Sequence, residues 1–277
     1  MAKSNSFWLM VTTKWNHAMD HLVPSIKGFT GLFFRSPGFA IRLFLARLRY
    51  FATGGIKPVP TPERYVIESP SGLLCYWGFF VEHEGTRQEW VRALRTAANP
   101  VIVDVGANAG IFSHYLWTYN NKARFVMFEP MPRLAKKIQR WGELTGANYK
   151  LHNAAVSNRT GTATFYATSE EGDTAGSLDP AGNRAVKIET PLVTLDSVLA
   201  EEKEILILKI DVEGFEPDVL RGATETLRRS RFLLMEAHGD EALATLQSIL
   251  GPEWLAERVG AADYFFLRQN DPCRNGR

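Results

Sequence analysis

The stretch Val101-Ile102-Val103-Asp104-Val105-Gly106-Ala107-Asn108-Ala109-Gly110 decides how this chain is read. Four of its first five residues are apolar, the pattern of a strand buried on both faces inside a parallel sheet. A loop of small residues follows, and Ile111 to Tyr119 then reads as a helix. A strand that turns through glycines into a helix is a device for binding a nucleotide. Gly106 and Gly110 permit close backbone approach, and the helix start offers unpaired N–H groups.

Working outward, strand and helix patterns alternate. Arg124 to Phe128 reads as a second strand, Arg133 to Leu144 as a helix entered through Pro132, and Tyr149 to His152 as a third strand. Residues 156–195 break the alternation, with extra strands over Thr162–Tyr166 and Ala185–Val193 flanking a polar loop, Gly172 to Asn183. Ile205 to Ile210 is an emphatically apolar strand. A helix over Pro217–Arg228, a strand over Phe232–Met235, a helix from Glu241 and a strand over Tyr264–Leu267 follow. Upstream, Thr86 to Ala98 reads as a helix, and Arg64 to Trp77 as a hairpin turning at Ser69-Pro70-Ser71-Gly72. The expected architecture is a doubly wound α/β domain over residues 61–277, mostly parallel, with helices on both faces and extra β-hairpins.

Residues 1–60 differ in character. They hold eight lysines and arginines against the single acid Asp20, a local charge of +7, whereas the 277-residue chain totals +2. This basic, aromatic extension ends in a Pro/Gly-rich linker over residues 54–62. Phe39 to Phe51 reads as a helix with Ile41, Phe44, Leu45 and Leu48 on one face. That face suits either an anionic membrane surface, reached through residues 1–57, or packing against the domain. The apolar patch over 7–13 is too short for a secretory signal, and no window reaches about 18 uncharged apolar residues. Cys75 and Cys273 lie far apart without metal-ligand spacing, which fits a reducing compartment. A cytoplasmic protein, touching at most the inner face of a membrane, is expected.

The nucleotide is narrowed by what the loop lacks. A dinucleotide fold asks for G-x-G-x-x-G, but counted from Gly106, Asn108 stands at the second glycine. A ligand without a pyrophosphate, such as S-adenosylmethionine, needs less bare backbone. Glu129, closing the second strand, suits ribose hydroxyls of either cofactor.

Several further blocks share an order and spacing: Phe128-Glu129-Pro130, Asn153-Ala154-Ala155-Val156-Ser157, Gly176-Ser177-Leu178, Thr194-Leu195-Asp196, Lys209-Ile210-Asp211-Val212-Glu213-Gly214-Phe215-Glu216, Leu220-Arg221-Gly222-Ala223 and Glu236-Ala237-His238. With the 104–110 loop, this set resembles the FkbM-family methyltransferases over roughly residues 75 to 240. The resemblance implies a class I, Rossmann-like methyltransferase fold using S-adenosylmethionine, usually on hydroxyl groups of sugars or natural products.

Roles follow for individual residues. Gly106, Asn108 and Gly110 would line the methionine end of the cofactor. Asp104 would orient its amino group or hold the loop, Glu129 would grip the ribose, and Asn153 and Ala154 would meet the adenine. Lys209, Asp211 and Glu213 alternate at the end of an apolar strand, so they share one side. Charges there are costly unless they pair or face a cleft. Methyl transfer to an alcohol needs alignment and a proton acceptor. Asp211 is the first choice for that base and His238 the second, with Lys209 neutralising the neighbouring acids. Glu213, Glu236 and Ser177 are expected on the acceptor side, in a pocket shaped by the 172–183 loop and the hairpin near Trp77. Asp211, Glu236 and His238 supply ligand types for a divalent ion, but convergence is not readable, and no metal is expected.

The favoured reading is O-methylation of a sugar, glycolipid or polysaccharide hydroxyl, with no nucleic-acid partner. A catalytically inactive scaffold at a membrane surface competes with it, as does, less strongly, an NAD-dependent oxidoreductase.

Overall fold

The computed structural model describes residues 29–30, 32–34, 36–77, 88–167, 177–178, 186–258 and 263–271. The chain divides into two units, Met1–Arg87 and Gln88–Arg277. The boundary expected after residue 60 thus falls inside the first unit.

In the first unit, helix α1 (Pro37–Thr53) starts with Pro37 in its first turn. It stops at Gly54, whose left-handed φ of 70° lets its N–H reach Tyr50 O. Strands β1 (Val59–Pro60) and β2 (Val66–Ile67) pair antiparallel, so part of the expected linker is a short hairpin. Helix α2 (Pro70–Trp77) replaces the expected second arm of a hairpin. The residues read as a turn are a helix start: Ser69 Oγ accepts the Gly72 N–H, and Pro70 needs no N–H partner. α1 packs on this segment through Phe39 against Tyr76, edge to face, and through Arg47, whose guanidinium lies 4.1 Å over Trp77. Those contacts are why residues beyond 60 belong with the extension.

The second unit begins with helix α3 (Gln88–Thr96). It then runs through β3 (Val101–Val105), α4 (Ile111–Tyr119), β4 (Arg124–Phe128), α5 (Pro132–Thr145) and β5 (Asn148–His152). Three strands, β6 (Ala155–Val156), β7 (Gly161–Ala167) and β8 (Val186–Val193), form a separate small sheet in the order β6-β8-β7. After the short helix α6 (Leu195–Val198) come β9 (Ile205–Ile210), α7 (Glu216–Arg221), α8 (Thr224–Arg229), β10 (Ser230–Glu236), α9 (Asp240–Leu250), β11 (Trp254–Arg258) and β12 (Asp263–Arg268).

The main sheet has seven strands in the order β11-β12-β10-β9-β3-β4-β5. β5, β4, β3, β9 and β10 run parallel, and β12 lies antiparallel between β10 and β11. This is the Rossmann-like α/β fold expected of the sequence. From β3 the chain winds outward to β4 and β5, then returns to β9 on the other side. The strand order therefore reverses between β3 and β9, where open α/β sheets hold ligands at their carboxyl edge. β9 is buried at every position, which explains its unbroken apolar run.

One expected helix is two. Gly222 breaks it because a Cβ there would lie 2.3 Å from Ser157 O, so the backbones touch. Asp196 then caps the new start, accepting from the Glu225 N–H and from the Thr226 N–H and hydroxyl. β11 was not expected, since its alternation is brief and charged at one end. The 172–183 loop lies outside the described residues except for Ser177 and Leu178.

Candidate active site

The carboxyl ends of β3, β4 and β9 meet at the reversal point, and the loop after β3 folds across them. Gly106, Asn108 and Gly110 all take left-handed backbone, with φ of 73°, 51° and 77°. The Gly106 and Ala107 N–H groups donate to Phe128 O at 3.1 and 3.0 Å, which turns the loop toward β4. The glycines were expected to admit a ligand, but their need arises on the protein side. A Cβ on Gly106 would sit 1.9 Å from Asp211 O, and one on Gly110 would sit 3.3 Å from the Ile138 side chain. Helix α4 starts at Gly110 with no side-chain cap, so the positive end of its dipole faces the loop.

Glu129, at the end of β4, is buried and holds this loop. One carboxylate oxygen accepts the Asn108 N–H at 2.7 Å, and the other accepts the Met131 N–H at 2.8 Å. Burial pushes its pKa up to about 7, against the pull of those two N–H groups and of Lys209. Each oxygen keeps a second lone pair. Asn153 ties β5 to β4 by donating its amide to Glu129 O and Pro130 O at 2.7 and 3.0 Å, and Ala154 beside it is buried.

Lys209 joins β3 to β9. Its Nζ donates to Gly106 O at 2.7 Å and lies 3.1 Å from Asp211 and 3.4 Å from Asp104. Burial alone would lower its pKa, but the Asp211 and Asp104 carboxylates outweigh that and raise it, so the ammonium stays charged. Asp104 is fully buried, and its other oxygen accepts from the Ser113 hydroxyl at 2.7 Å. It anchors α4 and Lys209, and its burial does not suit the direct contact with a cofactor amino group. Asp211 is different: its side chain is 42% exposed at the mouth.

A third cluster lies at the ends of β9 and β10. One ligand atom each from Glu213, Glu236 and His238 lies within 4.8 Å of the others. Asp211, considered with Glu236 and His238 as a ligand type, is not part of this group. His238 Nε2 is 3.2 Å from Glu236, and its ring is 67% exposed. Burial and the charges of Asp211, Glu213 and Asp263 push the Glu236 pKa up to about 7, while His238 opposes them. Glu213 has a left-handed φ of 55°. Ser177 was expected to face the acceptor, yet it is fully buried. Its hydroxyl donates to Glu213 O at 3.1 Å, and its backbone pairs with Tyr166. It therefore pins the Glu213 turn rather than lining an open pocket.

Sequence reasoning missed two supports. Glu216 is buried, and its carboxylate accepts the Val212 and Gly214 N–H groups, shaping the whole 211–215 turn. Its signal was an acid before Pro217 at a helix start. Ser113 carried no signal beyond being a small polar residue one turn into α4.

The pattern of the Methyltransferase FkbM domain matches residues 104–255, just over half the chain, and spans all three clusters. The chain belongs to the FkbM methyltransferase family. Among curated relatives, the "2-O-methyltransferase NoeI" of Sinorhizobium fredii (strain NBRC 101917 / NGR234) is 30% identical over 160 residues, covering 52% of this chain and 65% of NoeI. The "Methyltransferase sdnD" of Sordaria araneosa is 31% identical over 160 residues, covering 46% of this chain and 62% of sdnD. The alignments thus span slightly less than two thirds of either relative. The matched span takes in the loop after β3, Glu129 at the end of β4 and the 209–216 segment after β9.

Proposed function

We propose that this methyltransferase moves a methyl group from S-adenosylmethionine to a hydroxyl of a sugar, glycolipid or polysaccharide. The observation that carries the reading is the charge at the reversal point. Asp104, Glu129, Asp211, Glu213 and Glu236 surround the loop and mouth, against Lys209 among the buried groups there. An acidic edge favours a sulfonium and an ammonium, and it repels the pyrophosphate of a dinucleotide. It also disfavours a polyanionic nucleic acid as acceptor. The relative NoeI, a 2-O-methyltransferase, supports the choice of a hydroxyl.

Residues of this chain fit each part of the cofactor. The positive end of the α4 dipole at Gly110 would favour its carboxylate. Glu129 would accept from the ribose through its remaining lone pairs, and the turn at Asn153 and Ala154 would border the adenine. Bound there, S-adenosylmethionine would supply an electrophilic methyl group, which the acceptor oxygen would take in line as the carbon–sulfur bond breaks and S-adenosylhomocysteine leaves. Positioning that oxygen is the larger part of the task, since orientation alone is worth roughly 7–11 kcal/mol at its best.

Asp211 accepts the hydrogen bond of the acceptor hydroxyl and takes its proton. Lys209, fixed by Gly106 O and Asp104, sets the carboxylate's orientation. Glu236 and the exposed His238 ring lie 3.2 Å apart at the end of β10, and His238 is the alternative proton acceptor. Glu213 lies on the acceptor side.

The test is transfer of labelled methyl to pooled saccharide and glycolipid acceptors by wild type and Asp211→Asn. Expected is unchanged S-adenosylmethionine binding with turnover lowered by about 100-fold or more. Unchanged turnover removes Asp211 from the chemistry. Absence of cofactor binding by folded wild type would favour a non-catalytic scaffold instead.

A further inference from the structure

Helix α1 has two apolar faces. Phe39, Ala40, Leu43 and Ala46 are buried within its unit. On the opposite side Phe44, Ile41, Leu48, Leu45 and Phe51 are 44%, 48%, 49%, 56% and 68% exposed. Helical geometry gathers these five into one stripe roughly 120° wide. These include the four residues whose spacing first marked the helix, so the packing alternative is not what this face does within its unit. Phe34, just upstream, is 80% exposed. Exposed Arg42 and Arg49 border one edge of the stripe, and Arg47 borders the other. Between Asp20 and Glu63 the sequence has no acid.

We propose that this face lies on the surface of an anionic lipid bilayer. The helix axis runs along the membrane plane, with the aliphatic and aromatic side chains in the acyl boundary. The exposed Arg42 and Arg49 sit at the level of the lipid phosphates. No described helix is long and apolar enough to cross a membrane, so contact rather than spanning is the geometry. A second copy of the chain is a poorer occupant. A two-fold contact through this stripe would bring both arginine edges together, and the helix offers no acid to offset them. Anionic headgroups supply that missing countercharge. This proposal is independent of the methyl-transfer reading.

The test is co-sedimentation of the full chain with phosphatidylcholine vesicles, with and without phosphatidylserine. The wild type is compared with Leu45→Glu/Leu48→Glu and with Arg42→Glu/Arg49→Glu, after circular dichroism has shown that each is folded. Leu45→Ser replaces the first pair should it misfold. Expected is binding to phosphatidylserine vesicles, weakened by raised salt and by at least about tenfold in either double variant. The proposal is overturned if wild type leaves the vesicles in solution, or if Leu45→Glu/Leu48→Glu binds them as well as wild type does. It is equally overturned if sedimentation velocity shows a dimer that these substitutions dissolve while vesicle binding is absent.

Discussion

Replacing Glu129 with glutamine removes a buried charge while keeping the shape of the side chain. Burial raises this carboxyl from 4.5 to about 7, so the folded protein holds the proton more tightly than the unfolded chain. Its contribution to stability is therefore intact below about pH 4.5 and is lost as pH climbs through 7. At ~1.4 kcal/mol per pKa unit, the loss across that window is about 3 kcal/mol. Glutamine does not titrate. It has one acceptor oxygen for the Asn108 and Met131 N–H groups, which costs about 1–3 kcal/mol at every pH. The informative quantity is the stability of wild type minus that of Glu129→Gln, measured by urea unfolding from pH 5 to pH 8. It should fall by about 2–3 kcal/mol over that range, with Glu236 and other acids cancelling because both proteins contain them. A flat difference would refute the idea that Glu129 is held against its charge by burial.

Gly106→Ala places a Cβ 1.9 Å from Asp211 O at a φ of 73°, so a thermal melt should show at least ~3 kcal/mol lost. Gly239→Ala, at a φ of 90° with open space around it, should lose only ~1–2 kcal/mol; equal losses would contradict the packing argument. Lys209→Met leaves Asp104 buried opposite no cation, a cost of ~3–5 kcal/mol that Asp104→Asn in the same chain should partly restore. Additive effects in that cycle would mean the two residues do not interact. Asp196→Ala strips the cap from α8 and should cost ~1–2 kcal/mol in urea unfolding; no change would mean Gly222 alone sets the break.

The parallel core was legible because its strands are buried on both faces, and an unbroken run such as Ile205–Ile210 has few other readings. Turn and helix-start chemistry was ambiguous. Ser69-Pro70-Ser71-Gly72 fits a hairpin turn and a capped helix equally well, and only tertiary contact with α1 selects the helix. The break at Gly222 depends on Ser157, 65 residues earlier in sequence, so no local window contains it. At the candidate site, the alternation of Lys209, Asp211 and Glu213 did place charges at the mouth. It did not reveal that Lys209 would reach back to Gly106 and Asp104, or that Ser177 would be buried. Spacing reports which side of a strand a residue occupies; what it touches is set by the neighbouring strands.

Calorimetric titration with S-adenosylhomocysteine, into wild type and Glu129→Gln at pH 7.5, reaches the cofactor site without knowledge of the acceptor. Expected is one molecule bound per chain, with affinity at least about tenfold weaker in the variant through loss of the ribose contact. Equal affinity in both proteins, or no heat from folded wild type, would contradict a cofactor seated over the 106–110 loop.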